Sequence, residues 1–211
     1  MRGLSDRSDN ILSAIAADIA DLRLAEAREK LAAAREVQSE VLRKPLAFNA
    51  ALMERQAEIA LLESKPDHAF TLFSAAADSF AAIGPVEVAR RRRTYAIRLT
   101  DHGVRYGGSC LDLGIRVLDR LLADLPRDAA PWDWAAAQNS LAIACRILGD
   151  RSESPTGTAL LARAVSAYEA ALEVHSREID ILNWAIDMQN LAVALFAQGQ
   201  RTAGQAGTDL L

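Results

Sequence analysis

The chain has 211 residues, 51% of them apolar and 5% aromatic, with a formal charge of −4. That length buries a core of one or two domains, and the negative balance disfavours a general nucleic-acid binder. No run reaches the roughly 18 apolar residues that a membrane helix needs. Ala and Leu dominate, which favours helix, and no stretch alternates apolar and polar residues for long. The charged start "MRGLSDRSDN" does not read as a signal peptide. Cys110 and Cys145 stand outside any CxxC pair. They are expected as small buried residues of a reducing, cytoplasmic compartment.

In chain order, residues 8–43 contain no Gly or Pro. They form either one long helix or a tight pair turning near Asp21–Arg23, and "LAEAREKLAAAREV" favours the pair by its likeness to helices further on. A break is expected at Lys44-Pro45, followed by a helix over 46–63. Pro66 and Asp67 suit the start of the next helix, and Gly84-Pro85 suits its stop. Phe70, Phe73, Ala77 and Phe80 make its apolar stripe. The segment 86–103 is a further helix.

From there the chain repeats itself. "PWDWAAAQNSLAIACRILGDR" (131–151) and "ILNWAIDMQNLAVALFAQGQR" (181–201) place Trp134 over Trp184, Leu141 over Leu191, Gly149 over Gly199 and Arg151 over Arg201, always fifty residues apart. Gly107, Gly157 and Gly207 keep the same interval, as do Leu111, Leu161 and Leu211. Leu111, Ile115, Leu118, Leu121 and Leu125 form one helical stripe; Leu161, Val165, Tyr168 and Leu172 form another. Gly149 and Gly199 sit where helix stops are expected. The unit is helix, Gly-containing turn, helix, loop. Setting Gly103 against Gly149 extends it upstream, with Val88 over Trp134, Tyr95 over Leu141 and Arg93 over Asn139. The expected units are 8–43, 46–84, 85–125, 131–174 and an incomplete 181–211 within a single array. A hairpin alone leaves its stripe uncovered, so the hairpins are expected to stack as an all-α, right-handed superhelical solenoid.

The array resembles the tetratricopeptide repeat (TPR) family in its longer bacterial form. Trp134, Ala135, Gln138, Asn139 and Leu141 match its W-A-x-x-Q-N-x-L motif. Gly157, Thr158, Leu161, Ala164, Val165, Ala167 and Tyr168 match its G-T-x-x-L-x-x-A-V-x-A-Y motif. The second copy departs, with Gln189-Asn190 one place late, and Val88 replaces the Trp of the earlier unit. The strong match covers residues 104–211. The resemblance implies a binding scaffold for peptides or protein domains, whose first helices line a concave groove.

Against that frame, Trp134, Leu141, Trp184, Leu191 and Tyr168 are expected to be structural. Trp134 stands seven residues before Leu141, on the same helical face. Asn139 lies about 200° round the helix from Leu141, where an amide can meet a peptide backbone or tie neighbouring repeats together. Gln189 and Asn190 are its candidates in the next copy. The run "RRRR" (90–93) spans about 300° and cannot share one face. Arg92 falls on the apolar stripe, its stem expected along the core with the head reaching out. Arg93 is expected to look into the groove. Arg90 and Arg93 are therefore candidates for an acidic partner, beside the plainer reading of a solvated helix paired to neighbours such as Glu87. Trp132 is expected as a loop aromatic over a helix entry. His68, His102 and His175 are expected at the surface or at helix ends. They lack the local i, i+4 pairing of a metal site, and no nucleophile elbow or phosphate loop accompanies them.

These features point to a non-catalytic protein-protein interaction scaffold without cofactor or metal. The partner is a protein or peptide, with self-association through an open C-terminal end as a second mode. Two alternatives remain at this stage: a regulatory or self-assembly arm of a larger effector or signalling protein, and an RNA-binding helical repeat. The register of the last residues, with Gly207, Thr208, Leu210 and Leu211 over Gly157, Thr158, Leu160 and Leu161, suggests a piece of a longer repeat protein.

Overall fold

The computed structural model describes the backbone of residues 2–208 and the side-chain surroundings of residues 10–202. Leu210 and Leu211 lie outside the described residues. Among these, the chain forms eight α-helices and one 3-10 turn, with no strand. No helix is long and apolar enough to cross a membrane. The chain divides into two compact units, Met1–Asn49 and Ala50–Leu211, where the sequence suggests a single array.

The first unit is a helical hairpin: α1 (Arg2–Ala20), a turn, and the first half of α2 (Leu24–Leu62). The turn falls at Asp21–Arg23, so the pair prevails over the single helix, with Leu22 in the left-handed region at φ 57°. Ile15 and Ala27 are buried, and so is Asp18. Its carboxylate accepts from Arg23 Nε at 3.2 Å and Nη2 at 2.9 Å, and from Lys30 Nζ at 2.5 Å. Those donors hold the Asp18 carboxyl below its ordinary value, Lys30 contributing most.

The break expected at Lys44-Pro45 does not occur, because α2 continues through Pro45. A proline disconnects the carbonyl four residues before it. Here that residue is Val41, which is exposed, so water meets the carbonyl and the helix persists.

In the second unit the end of α2 is followed by α3 (Pro66–Asp78), α4 (Pro85–Tyr106), α5 (Cys110–Asp124), a 3-10 turn (Arg127–Ala129), α6 (Pro131–Arg151), α7 (Thr156–Leu172) and α8 (Ile181–Thr208). From α3 onward each helix packs on the next, and α3 with α5, α4 with α6 and α6 with α8 also touch. Proline stands at the first positions of α3, α4 and α6, where its missing N–H is an orphan in any case. Pro85 therefore starts α4 rather than stopping α3, which ends at Asp78.

The core is built from small and branched residues. Phe73 stacks on Tyr95 with ring centroids 4.9 Å apart. Leu99, Leu111, Leu118, Leu161 and Tyr168 are fully enclosed. Cys110 and Cys145 are free and buried, as expected.

The glycines read as helix stops prove to be something else. Gly149 lies inside the last turn of α6, and α8 runs through Gly199. A Cβ on Gly149 would come 3.1 Å from the Gly157 carbonyl oxygen and from the Leu161 side chain. Gly149 is there because α7 crosses α6 at backbone distance, and Ser152 ends the helix. Gly103 serves the same purpose inside α4, where a Cβ would lie 2.9 Å from Leu111.

Candidate functional site

The four consecutive arginines of α4 are not equivalent. Arg90 pairs with Asp133 through both nitrogens, Nε at 2.8 Å and Nη2 at 3.0 Å. Arg91 donates to Glu87 at 3.1 Å and lies over the Phe80 ring. Arg92 is buried, donating to Asp124 at 2.5 Å and Asp78 at 2.9 Å. Burial works against the Arg92 charge, yet Asp124 and Asp78 outweigh it and its pKa rises. The head of Arg92 thus does not reach out as expected; it ties the ends of α3 and α5 to α4. Arg93 has no ion-pair or hydrogen-bond partner among the described residues.

Arg93 lines a cleft of about 170 Å³ with Trp132, Ala136 and Asn139 of α6, His175 after α7, and Asn183, Ile186 and Asp187 of α8. Arg93 and Asn139, equivalent in the repeat register, are therefore brought to one site. The floor is polar and buried. Asp187, 1% exposed, accepts from His175 Nδ1 at 2.7 Å and from the Asn139 amide. With Nδ1 engaged, Nε2 is the imidazole nitrogen left for a ligand. Trp132 belongs to the first turn of α6 and stacks on His175 at 5.6 Å. At the N-terminus of α8, Asp180 accepts from the Asn183 backbone at 3.1 Å and its side chain at 2.6 Å, which lowers the Asp180 pKa. This is the usual capping arrangement of an acidic side chain at a helix start.

His175 was expected at the surface or at a helix end; it lies just past the end of α7 and is 4% exposed. The signal for it was present in the register. His175 stands over Leu125 and Asp187 over Ala137, and all four positions are buried. An apolar pair in one copy has become a hydrogen-bonded His–Asp pair in the next. A buried carboxylate is tolerated only with such partners, so the two changes belong together.

Other expected site residues fall elsewhere. Arg90 is paired with Asp133 and does not line the cleft. Gln189 is exposed and Asn190 half-buried, and neither lines the cleft. Gln189 follows Asp187 by two residues, about 200° round α8, so it points away from the site. Leu141 and Tyr168 are buried as expected, whereas Leu191 is only half-buried. Trp134 and Trp184 are half-buried beneath arginines, Arg127 at 5.3 Å and Arg177 at 5.7 Å from the ring centres, a geometry of cation–π contact.

Compared with known proteins, the chain matches no family model, no curated protein and no solved structure.

The cleft lining offers the Arg93 guanidinium and two amides as donors, and His175 Nε2 as an acceptor, beside the Trp132 face. Ser, Thr, Cys and Tyr are absent from that lining. Among the described residues no three His, Cys, Asp or Glu side chains gather as a metal-binding group.

Proposed function

We propose that this protein is a non-catalytic, TPR-like scaffold that binds a protein or peptide partner, with Ala50–Leu211 as a right-handed solenoid of stacked hairpins. An acidic side chain of the partner enters the Arg93 cleft. The observation that carries this reading is the isolation of Arg93: its three predecessors are engaged by Asp133, Glu87, Asp78 and Asp124, while Arg93 faces a cleft with its charge unanswered. Asp187 on the same floor accepts from Asn139 and His175.

Size supports a side chain over a free metabolite. About 170 Å³ is below the roughly 300 Å³ at which small-molecule pockets begin. A carboxylate suits the planar fork of Arg93, with the Asn139 amide beside it and Trp132 against the aliphatic stem. Arg90, Arg91 and Arg92 are each paired with acids, which weakens the ground for RNA binding.

The test is an array of acidic, neutral and basic peptides probed with wild-type protein and with Arg93→Glu. Preference for acidic peptides, lost by about tenfold or more (about 1.4 kcal/mol) in Arg93→Glu at unchanged melting temperature, is the expected result. Equal binding by the two proteins, or no acidic preference, sinks the reading.

A further inference from the structure

His175 carries a polar atom that the fold leaves without a partner. Its Nδ1 is engaged by Asp187 Oδ2 at 2.7 Å. Nε2 has no hydrogen-bond partner among the described residues, although the residue is 4% exposed. Nor is Nε2 sealed in: among the described residues the enclosed side-chain atoms without a partner are Arg146 Nε and Tyr168 Oη. One ring face lies on Trp132, and the free edge opens on the cleft that His175 lines. Packing alone does not call for such a group, since the preceding copy fills the same two positions with Leu125 and Ala137.

Protons set what this edge offers. Asp187 accepts from Asn139 as well, and a carboxylate only accepts, so Nδ1 carries the proton of the neutral ring. Nε2 is then a bare lone pair, which opposes a carboxylate oxygen arriving at Arg93. A second proton reverses this. Nδ1 still donates to Asp187, and Nε2 now donates into the cleft. The charges around the ring favour the same change. Arg93 of α4 and Asp187 of α8 are of opposite sign, and Asp180, ahead of α8, feels the His175 charge. Asp133 of α6 is paired with Arg90, and Glu173, just after α7, with Arg127. Arg177 lies over Trp184. An entering carboxylate therefore adds negative charge beside Asp180 and Asp187, with Arg93 to balance it, over a buried floor where charge is poorly screened.

We propose that the cleft takes up a carboxylate together with one proton, which His175 holds. The imidazolium, anchored by Asp187, is the second donor to the acid that Arg93 receives. This rests on the acidic-partner reading of the cleft and adds to it the residue that makes the site respond to pH. Binding that consumes a proton tightens as pH falls, by at most about tenfold per pH unit for one proton. The window is the range of roughly pH 5 to 8 in which imidazoles change charge. Carboxylates titrate at about 4 and guanidinium groups above about 12, so within that window the imidazole is the group that changes.

The test is calorimetric titration of the full chain with the tightest acidic peptide of the array above, its ends blocked, at pH 6, 7 and 8. Repeating each titration in buffers of different ionisation enthalpy counts the protons taken up. Affinity should rise on going from pH 8 to pH 6, by about threefold or more, with net proton uptake on binding. His175→Gln keeps an amide donor for Asp187 and cannot take the proton, so it should bind the peptide through Arg93 with no pH slope. A second measurement needs no variant: the carbon-13 shift of the His175 ring should move to its imidazolium value when the peptide binds to wild type. Acidic-peptide binding that is flat between pH 6 and 8 overturns the proposal and leaves the Arg93 reading standing. Binding that weakens as pH falls does the same, and assigns Nε2 to an N–H of the partner instead. A pH slope retained in His175→Gln, or a ring that stays neutral in the complex at pH 6, also overturns it. No acidic-peptide binding at any pH overturns both.

Discussion

The helices α6 and α8 share Trp, Leu, Gly and Arg at equivalent positions, yet only some of the shared residues do the same thing. Arg127 covers Trp134 as Arg177 covers Trp184. Arg151 donates to the carbonyls of Gly103 and Val104 at the end of α4, and Arg201 donates to that of Asp150 at the end of α6. These contacts need only the preceding hairpin or loop, which both copies have. Leu141 and Gly149, by contrast, are buried where Leu191 and Gly199 are half-buried and exposed. Their packing needs a helix on the other side, which α7 supplies to α6. Identity in sequence sets which contacts a helix can make; its neighbours decide which are made.

That comparison breaks most sharply at the leucines. Leu141→Ala should cost about 2–5 kcal/mol in urea unfolding, as buried large-to-small changes do. Leu191→Ala should cost about 1 kcal/mol, since half a side chain's transfer energy is at stake. Equal losses at the two sites would show that α8 is covered as fully as α6.

Next come the residues in which the copies differ. His175→Leu alone strands Asp187 with one donor fewer and should destabilise by about 1–3 kcal/mol. Adding Asp187→Ala restores the Leu125/Ala137 pattern and should return most of that loss, because a well-packed apolar pair commonly matches a buried polar one. A double-mutant cycle showing simple additivity would mean the pair is not coupled.

The glycines should respond with opposite signs. Gly149→Ala forces a Cβ to 3.1 Å from the Gly157 carbonyl oxygen and should cost about 1–3 kcal/mol through overpacking. Gly199→Ala, inside an open helix, should stabilise by about 0.5–1 kcal/mol.

The smallest effect concerns the first hairpin. Lys30 and Arg23 lower the Asp18 pKa from its ordinary 3.8. A depressed carboxyl adds stability above its unfolded value and loses it as pH falls through the folded one. The wild type should therefore melt above Asp18→Asn at neutral pH. That gap should start to close as pH nears 3.8 and vanish below the folded value. A gap that persists in acid would mean the Asp18 charge contributes nothing.

Much of the fold was legible because periodicity and proline position are local signals. The stripe from Leu111 to Leu125, the proline at 66 and the turn at Asp21–Arg23 needed no tertiary information. Pro45 and the glycines misled for one reason: their effect depends on what lies outside the helix, water at Val41 in one case and α7 at Gly149 in the other. The candidate site was half legible. Register aligned Arg93 with Asn139, and both line the cleft. The pairing of His175 with Asp187 was overlooked because each looks ordinary alone, and its meaning appears only when both are set over the apolar residues they replace.

The sequence by itself determined the helices, their fifty-residue rhythm and the uncharged face of α8, all of which follow from residue type at fixed spacing. Only the tertiary structure decided which of four adjacent arginines keeps a free charge. Successive residues on a helix point about 100° apart, so the acids of α3, α5 and α6 reach Arg90 and Arg92, Glu87 within α4 reaches Arg91, and Arg93 is left facing the cleft.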